Sequence, residues 1–544
     1  MYHQTALPLQ KSAPKPHRVL VVGGCYAGLA AATNLLDLCE GRAPRFTPGS
    51  EATRQQLPVK ITIIDERNGF YHVIGSPLAL ASSEYSHKAW TRFCDVPALQ
   101  HPAINMVHGS VTQVDLDNRT ATVAPNDSSD LVQHEYDYLI AASGLRRVWP
   151  VVPQQVAREN YLKEAESHIN AVRAAKHGVV VIGGGAVGIE MAAELKAVEP
   201  TTRVTLIHSR DRLLSSEPLP DDFKDETLSL LRSVGVEVIT GKRVQSEAVN
   251  ETDKTTIIKL SDGSTLAASH VINAISRSSP TTTYLPPSVL DGEGYVKIKP
   301  SLQFHDEHHF AAGDIALWSG IKRCGAAMHM GSYCAHNIHQ HILSITPSSP
   351  RPSSPIMRRV SDSFNDIASS YTPQYKELTE HPAVIGIAIG TTAAAYSPTE
   401  GIKSGAEVLK YMFGDDLGFS ICYNYMQLGR APPSTVEPTS ATPIDLETTD
   451  EVPPGTEQNE QTTPTLSTTS TSSEAGVEPQ TPIDAVGNAE VTNFEALQKS
   501  PSNPDDVDIA GIVEEIRRSS ISTSGPRPEK IFKQSAFKRS TEAV

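Results

Sequence analysis

Two segments of this 544-residue chain repeat one pattern, in which an apolar strand leads into a glycine-rich turn and then a helix. The predicted strands are residues 18–22 and 178–182, and the predicted helices are residues 29–38 and 189–196. A helix that follows a glycine turn presents free N–H groups and the positive end of its dipole, and both attract a pyrophosphate. Two such units in one chain predict an α/β protein with two Rossmann-like dinucleotide-binding domains.

The two turns differ at one position of the G-x-G-x-x-G fingerprint. The second turn has all three glycines, whereas Cys25 takes the place of the middle glycine in the first. That glycine lets the backbone approach a phosphate, and we expect a small cysteine side chain to be tolerated there. The residues of the two turns are Gly23, Gly24, Cys25, Tyr26, Ala27 and Gly28, and Gly183, Gly184, Gly185, Ala186, Val187 and Gly188.

The strands that follow the two turns end in side chains of different charge. Residues 59–65 end at Asp65, whose carboxylate can bond both hydroxyls of an adenosine ribose. Residues 203–207 lead instead to His208, Ser209 and Arg210, with no acid. A carboxylate would favour NADH at this position, whereas Ser209 and Arg210 can accept the 2′-phosphate of NADPH. The sequence therefore leaves both nicotinamide nucleotides open.

Charge and cysteine content exclude several classes of protein. The net charge of −15 argues against a general nucleic-acid-binding protein, which needs a basic face for the phosphates. None of the six cysteines forms a C-x-x-C pair, so the sequence indicates neither a zinc ribbon nor a thioredoxin-type pair. Cysteines scattered in this way are typical of reduced, intracellular thiols.

Neither a secretion signal nor a membrane span is predicted. The apolar stretch 383–396 is shorter than the ~20 residues that a spanning helix needs, and we predict two short buried strands there. We expect an intracellular protein, cytoplasmic or mitochondrion-associated and not secreted. Residues 432–544 are rich in Ser, Thr, Pro and Glu and hold 19 acidic and eight basic residues. Such a segment buries too little apolar surface to offset its ordering entropy, so we predict a disordered tail.

The histidines do not predict a metal site. Eight histidines stand out: His72, His305, His308, His309, His329, His336, His339 and His341. The spacing of His305, His308 and His309 matches no known set of metal ligands, and His336, His339 and His341 fall on a predicted helix. We expect these histidines to lie at the surface or to cap helices, and we predict no bound metal.

Further motifs give the chain a family resemblance. Residues 136–144 resemble the strand and glycine turn, ending at Gly144, that close an FAD domain, and residues 310–314 resemble the late Gly-Asp motif. Over about residues 15–430 the chain resembles the two-dinucleotide-binding flavoproteins of the pyridine nucleotide oxidoreductase superfamily. Within it, residues 183–214 are most similar to ferroptosis-suppressor-like (AMID-like) members of the apoptosis-inducing-factor group, and then to type II NADH:quinone oxidoreductases.

The resemblance implies the cofactors and several site residues. FAD would bind the first glycine turn and NAD(P)H the second, and Gly313 and Asp314 would hold the ribityl chain of FAD. Glu190 would lie near the flavin and nicotinamide rings, or else bond a helix terminus. Pro77 would lie beside the isoalloxazine, and Lys322 would stabilise the reduced flavin or be an ordinary surface charge. The predicted cofactor-binding residues are Gly23, Gly24, Cys25, Ala27, Gly28, Asp65, Pro77, Gly144, Gly313, Asp314, Gly183, Gly185, Val187, Gly188, Ser209 and Arg210, and the predicted catalytic residues are Glu190 and Lys322.

The predicted domain plan follows from the order of these motifs. An FAD domain comprises residues 15–150 and 288–345, with an NAD(P)H domain, residues 151–287, inserted into it. A small C-terminal α+β domain, residues 360–431, precedes the tail. In type II dehydrogenases such a domain makes the membrane or quinone face and the dimer contact, so the resemblance admits a peripheral membrane contact and a homodimer. Residues 405–413 have an apolar face that suits a membrane or simply the rest of the domain.

Two absences narrow the expected chemistry. The paired redox cysteines of disulfide reductases are missing, because Cys25 and Cys39 are too far apart and Cys25 lies inside the turn. The Baeyer–Villiger signature is missing as well. We therefore predict an NAD(P)H:acceptor oxidoreductase that passes a hydride to flavin N5 and then electrons to a quinone-like acceptor. The alternatives are a biosynthetic tailoring oxidoreductase with its own metabolite, and a slow-turnover FAD- and NADH-binding interaction protein.

Overall fold

The structure is a computed structural model that describes residues 15–45, 55–150, 152–275, 278–346 and 371–432. Within these residues the helices are α1 (Tyr26–Cys39), α2 (Ser76–Ala79), α3 (Ser83–Lys88), α4 (Arg158–Arg173), α5 (Ala186–Val198), α6 (Asp221–Ser233), α7 (Cys324–Ile345), α8 (Ala406–Phe413) and α9 (Phe419–Tyr425). The strands are β1 (His17–Val22), β2 (Val59–Asp65), β3 (Gly69–Tyr71), β4 (Trp90–Arg92), β5 (Ile104–Asp115), β6 (Thr120–Pro125), β7 (Val132–Glu135), β8 (Tyr138–Ala141), β9 (Leu145–Arg146), β10 (Val179–Ile182), β11 (Val204–Ile207), β12 (Glu237–Ile239), β13 (Val244–Val249), β14 (Thr256–Leu260), β15 (Thr265–Ala268), β16 (His270–Asn273), β17 (Ser279–Pro280), β18 (Val296–Lys297), β19 (His309–Ala311), β20 (Ala316–Leu317), β21 (Ile385–Ile389), β22 (Thr392–Ser397) and β23 (Gly401–Gly405).

The first glycine turn follows β1, an interior strand of a seven-stranded sheet with the order β19-β8-β1-β2-β5-β6-β7. The strands from β19 to β5 are parallel, and β6 and β7 extend the sheet as an antiparallel meander. Helix α1 is buried along its whole length and packs against α7. The two helices approach closely because Gly331 of α7 has no side chain, and a Cβ there would lie 2.2 Å from the Ala27 carbonyl oxygen.

The second glycine turn belongs to a separate four-stranded parallel sheet with the order β12-β11-β10-β16. The central strand β10 is buried at every position, which explains its unbroken apolar run. An antiparallel sheet of β13, β14 and β15 packs on one face, where Ile258 and Leu260 meet Val180 and Ile182. The segments that enter and leave this part of the chain pair with each other as β9 and β17.

The C-terminal strands form an antiparallel sheet of β21, β22 and β23. One face of β21 joins the core around α5, where Ile387 and Ile389 pack with Ile189. On the other side Ala393 and Ala395 pack against Val408 of α8. Because the sheet is covered on both faces, its strands are buried on both sides, and the apolar stretch 383–396 forms two buried strands, as predicted.

The segment after α1 is anchored in the interior where the structure describes it. The Arg45 side chain is only 2 % exposed and lies 2.8 Å from the Asp37 carboxylate. Its guanidinium also donates to the carbonyl oxygens of Met426 and Gln427, which follow α9. Arg45 therefore fixes the C-terminal segment against α1, because a buried cation must be paired and hydrogen-bonded.

The predicted fold class, α/β with two Rossmann-like sheets and a small C-terminal α+β part, is confirmed. Helices α1 and α5 begin earlier than predicted, since the last residues of each turn are already helical. The domain boundaries stay a prediction. The predicted disorder of residues 432–544 concerns, apart from Pro432, residues outside those that the structure describes.

Candidate functional site

The first glycine turn can be built only with glycine at two of its positions. Gly23 has φ +111°, and a Cβ there would lie 2.3 Å from the carbonyl oxygen of Ala142. A Cβ on Gly28 would lie 1.8 Å from the carbonyl oxygen of Gly23. The turn therefore brings β1, β8 and the start of α1 closer together than any side chain allows. Gly313, near the predicted ribityl site, also packs here, since its Cβ would lie 3.1 Å from that of Ala27.

The Cys25 thiol contacts the backbone of the fold and is partly buried. It is the N-cap residue of α1, and its Sγ lies 3.6 Å from the carbonyl oxygen of Tyr71. Burial raises the pKa of the Cys25 thiol to about 12, so the group is neutral at physiological pH. A neutral thiol that donates to a carbonyl leaves the helix dipole and the free N–H groups of α1 for an anion.

Asp65 is held at the mouth of the same turn. One carboxylate oxygen accepts the backbone N–H of Gly24 at 2.6 Å, and the other accepts the N–H of Arg67 at 2.7 Å. Burial raises the pKa of Asp65, although both N–H groups and the Arg67 charge oppose that shift. The end of β2 thus fixes the carboxylate beside the turn, the position that a ribose hydroxyl requires.

The second turn repeats the construction of the first. Gly183 has φ +122° and would clash through a Cβ with the carbonyl oxygen of Ala274 at 2.7 Å. Gly188 would likewise meet the carbonyl oxygen of Gly183 at 1.9 Å. Gly185, the N-cap of α5, is different: its φ is −79°, and a Cβ there would meet no atom within 4 Å. This open space in front of α5 is the cradle that a pyrophosphate would fill.

His208 takes the place in the second unit that Asp65 holds in the first. The backbone N–H of Gly184 donates to His208 Nδ1 at 3.1 Å, as Gly24 donates to Asp65. The other ring nitrogen, Nε2, lies 3.1 Å from Ser215 Oγ. Burial lowers the pKa of His208, so the acid is replaced here by a neutral imidazole. Ser209 and Arg210, predicted to bind the nucleotide, follow it and are exposed.

Asp314 and Lys322 lie close together in the segment that follows β19 of the first sheet. Burial raises the pKa of Asp314, while the charges of Arg147 and Lys322 oppose the shift. Arg147 Nη2 lies 3.7 Å from Asp314 Oδ2. The Lys322 ammonium donates to the carbonyl oxygen of Ala316 and lies 5.2 Å from the centre of the Tyr295 ring. Burial lowers the pKa of Lys322, while the charge of Asp314 opposes that shift, and the role of Lys322 stays a prediction.

Glu190 faces the C-terminal sheet from helix α5. Its Oε1 lies 3.4 Å from the backbone nitrogen of Ala388 in β21, so it contacts a strand rather than the helix terminus considered from sequence. Burial raises the pKa of Glu190 to about 8, Glu194 adds to the shift and Arg147 opposes it. Helix α2, which contains Pro77, packs against the same helix α5. The fold thus brings Pro77 and Glu190 to neighbouring helices.

Glu194 lies one turn further along α5 and is 5 % exposed. Burial raises its pKa to about 7, although the N–H of Gly390 donates to it. A folded-state pKa above the unfolded value makes protonation stabilising, so this contribution is full near pH 4.5 and is lost as the pH rises through 7.

We expect Glu194→Gln to reduce the loss of stability between pH 5.5 and pH 8 by roughly 2 kcal/mol. Thermal unfolding at both pH values measures this change in stability, and the exposed Glu251→Gln is the control. An unchanged pH dependence in Glu194→Gln would contradict the raised pKa of Glu194.

The histidine prediction is wrong for five of its eight residues. His72, His309, His329, His339 and His341 are buried, and His309 Nδ1 lies 2.6 Å from a carboxylate oxygen of Asp306. His341 bonds the Tyr138 hydroxyl at 2.8 Å and so links α7 to β8. Among the described residues no group of three or more histidines, cysteines or acids is placed to hold a metal ion. These histidines are polar members of the core.

Three site residues were missed by the sequence. Arg147 is the cation that influences both Asp314 and Glu190, yet it stands in no motif. Glu194 shows no signal beyond its spacing of four residues from Glu190, which places both on one helix face. The sequence pattern at His208 indicated only that no acid follows this strand. Its equivalence to Asp65 could have been found by aligning the two units with each other.

The chain matches known proteins over most of its described length. The family model described as pyridine nucleotide-disulphide oxidoreductase matches residues 17–331, the stretch that contains both glycine turns and Asp314. The chain belongs to this family. It is 49% identical over 437 residues to Oxidoreductase OXR1 of Ajellomyces capsulatus, covering 77% of this chain and 90% of the relative. It is also 26% identical over 309 residues to Ferroptosis suppressor protein 1 of Homo sapiens, covering 55% of this chain and 74% of the relative.

A solved structure supports the fold. The sulfide:quinone oxidoreductase of Aquifex aeolicus superposes with a TM-score of 0.52 at 19% identity, covering 76% of this chain and 93% of that one. Family membership makes the protein an FAD-dependent NAD(P)H oxidoreductase, a flavoprotein whose cofactors are FAD and NAD(P)H. The cradle at Gly185 and the carboxylate at Asp65 fit two dinucleotides. None of the helices in the described ranges is long and apolar enough to cross a membrane.

Proposed function

We propose that this protein is an NAD(P)H:quinone oxidoreductase. The observation that supports it best is the pair of matching glycine turns, each with a fixed side chain bonded to its second glycine. The resemblance of residues 183–214 to type II NADH:quinone oxidoreductases adds support for a quinone-like acceptor. We further propose the domain boundaries given above, with FAD bound by residues 15–150 and 288–345 and the nucleotide by residues 151–287.

In this proposal the chain positions its cofactors and controls their surroundings. When bound, nicotinamide and flavin supply the hydride transfer itself. Residues 23–28 and Asp65 hold one dinucleotide, and residues 183–188 hold the other. Glu190 is mostly protonated at neutral pH because burial raises its pKa to about 8, so it adds no negative charge beside the rings. Lys322 adds a partly desolvated positive charge near Asp314.

His208 makes NADPH the favoured nucleotide in this proposal. A neutral imidazole lacks the charge with which an acid repels a 2′-phosphate, and Arg210 is an exposed cation two residues away. We expect His208→Asp to shift the ratio of the NADPH and NADH dissociation constants toward NADH by roughly 10- to 100-fold, because like charges repel strongly at close range. The new carboxylate can accept the Gly184 N–H as Asp65 accepts that of Gly24.

Titration of the FAD-loaded protein with each nucleotide, followed through the flavin absorption, measures this ratio. The matched control is Ser215→Ala, which removes the partner of His208 Nε2 without adding a charge. Arg210→Ala should weaken NADPH more than NADH. A selectivity that does not change in His208→Asp would show that this side chain lies away from the ribose.

Anaerobic stopped-flow spectroscopy tests the proposed function. The purified FAD protein is mixed with NADPH or NADH, and the flavin band is followed before and after addition of a ubiquinone analogue. Rapid bleaching followed by rapid recovery with quinone is the expected result. Bleaching without recovery by quinone would point to a tailoring enzyme with its own metabolite as acceptor. Slow bleaching with a long-lived charge-transfer band would indicate an interaction protein instead.

The proposed C-terminal contacts require separate tests. Helix α8 has partly exposed apolar residues, among them Tyr411, and stays a candidate for peripheral membrane contact. Flotation with liposomes measures membrane binding, and sedimentation velocity measures whether a homodimer forms. Cofractionation with organelles tests the expected cytoplasmic or mitochondrion-associated location.

A further inference from the structure

Two cysteines that are 98 residues apart in the chain lie side by side. Cys324 is the first residue of α7, and Cys422 lies in α9 of the C-terminal segment. Their sulfur atoms are 3.9 Å apart, and both residues are free thiols. A disulfide needs the sulfurs at ~2.05 Å, so a modest side-chain movement would join them. We propose that Cys324 and Cys422 form a dithiol site that hydroperoxides oxidise to a disulfide.

The two thiols are placed for different tasks. Cys324 is partly exposed, whereas Cys422 is 4 % exposed. The two sulfurs share a hydrogen bond in which either thiol can be the donor. This contact, the Arg323 charge and the N–H of Gly325 all lower the pKa of Cys324. The same hydrogen bond, together with burial, raises the pKa of Cys422. Cys324 is therefore the nucleophile that an oxidant can reach, and Cys422 is the resolving thiol that forms the disulfide with it.

The neighbouring structure holds Cys422 in place. Asp416, just before α9, accepts a hydrogen bond from the Lys88 ammonium at 2.6 Å. The His72 ring bonds the carbonyl oxygen of Leu417 at 2.9 Å. After α9, the guanidinium of Arg45 holds the carbonyl oxygens that end the helix. Lys88, His72 and Arg45 thus fix both ends of α9, and the two sulfurs stay close without an outside partner.

The chemistry balances with a hydroperoxide as the oxidant. The Cys324 thiolate attacks the terminal oxygen of the peroxide, the O–O bond breaks, and the leaving oxygen is protonated to water or an alcohol. Cys324 is then a sulfenic acid. The Cys422 sulfur attacks the Cys324 sulfur, the S–O bond breaks, and the hydroxyl leaves as water. Two thiols have lost two electrons and the peroxide has gained them.

The remaining cysteines are poor competitors for this reaction. Burial raises the pKa of Cys39 to about 12 and that of Cys25 to the same range, and it raises the pKa of Cys334 further. Cys94 is exposed, with its sulfur 3.6 Å from the Asp95 carboxylate. It has no second cysteine within bonding distance among the described residues. Cys94 is therefore the matched control for an accessible thiol that lacks a partner.

Intact mass spectrometry of the full-length holoprotein tests the proposal. Reduced protein is treated with an equal amount of hydrogen peroxide, and the remaining thiols are then alkylated under denaturing conditions. We expect a loss of two hydrogens, two fewer alkylated cysteines than in the reduced protein, and full reversal by dithiothreitol. Fragment ions of the linked peptides must place the bond between Cys324 and Cys422, because Cys334 lies in the same tryptic peptide as Cys324.

Variants separate the two thiols. In Cys422→Ser, oxidation should stop at the sulfenic acid, which dimedone traps on Cys324. In Cys324→Ser, the fast oxidation should slow by roughly tenfold or more, since the accessible thiolate is gone. Cys94→Ser should behave like the wild type. Circular dichroism checks that each variant folds. If a variant fails to fold, the position of the disulfide mapped in the wild-type protein tests the proposal instead.

Two outcomes would overturn the proposal. One is a wild-type protein that gains oxygen at Cys324 without losing two alkylation sites. Another is a cross-link that maps to a different pair of cysteines. Neither result depends on the electron acceptor or on nucleotide turnover, so a failure here is distinguishable from a failure of the proposed quinone reductase activity.

Discussion

Replacement of Gly185 by valine is expected to abolish reduction of the flavin by NAD(P)H while FAD stays bound. A Cβ at Gly185 meets no protein atom within 4 Å, and its φ of −79° suits any residue, so the fold tolerates the change. The added side chain projects instead into the cradle in front of α5, where the pyrophosphate is proposed to sit. Displacing the nucleotide there should lower the rate of flavin reduction by ~100-fold or more.

The measurement is anaerobic flavin reduction under saturating NADPH and NADH, together with the FAD content of the purified variant. Gly292→Val is the matched control, because a Cβ there also meets no protein atom but lies in a loop outside both turns. Gly188→Val would be a poor test, since its Cβ clashes with the Gly183 carbonyl oxygen at 1.9 Å and would disrupt the turn itself. Normal reduction of Gly185→Val would refute the assignment of this turn to the nucleotide.

Replacement of Asp314 by alanine is expected to strip the protein of FAD. Asp314 follows β19 in a short 3₁₀ turn and is mostly buried, with Arg147 3.7 Å away. A hydrogen bond between a charged group and a ligand contributes ~1.5–3 kcal/mol, so the FAD dissociation constant should rise by ~10- to 150-fold. The loss also leaves Arg147 and Lys322 without the carboxylate between them.

The ratio of flavin absorption to protein after gel filtration reports this loss directly. Asp314→Asn keeps an oxygen acceptor and should retain more FAD than Asp314→Ala. Glu293→Ala removes an exposed acid nearby and serves as the control. Full FAD occupancy in Asp314→Ala, with unchanged thermal stability, would show that this carboxylate does not hold the cofactor.

Sequence alone was sufficient for the features that short segments control. The glycine turns are visible because Gly23 and Gly183 adopt positive φ, and because Gly28 and Gly188 lie against backbone oxygens. Those are requirements of a few consecutive residues, and glycine alone meets them. The two strands within residues 383–396 were likewise readable from their apolar run, since β-strands buried on a shared core show little alternation.

Contacts between distant segments were decided by the tertiary structure alone. His208 meets the Gly184 N–H because parallel β10 and β11 bring the ends of two strands together. Cys324 meets Cys422 only when α9 docks beside the start of α7. Arg45, in the segment after α1, is a buried anchor for residues 381 and 382 positions away. Local conformational preference determined the turns and strands, whereas the partner, burial and pKa of each polar group depended on which segments packed around it.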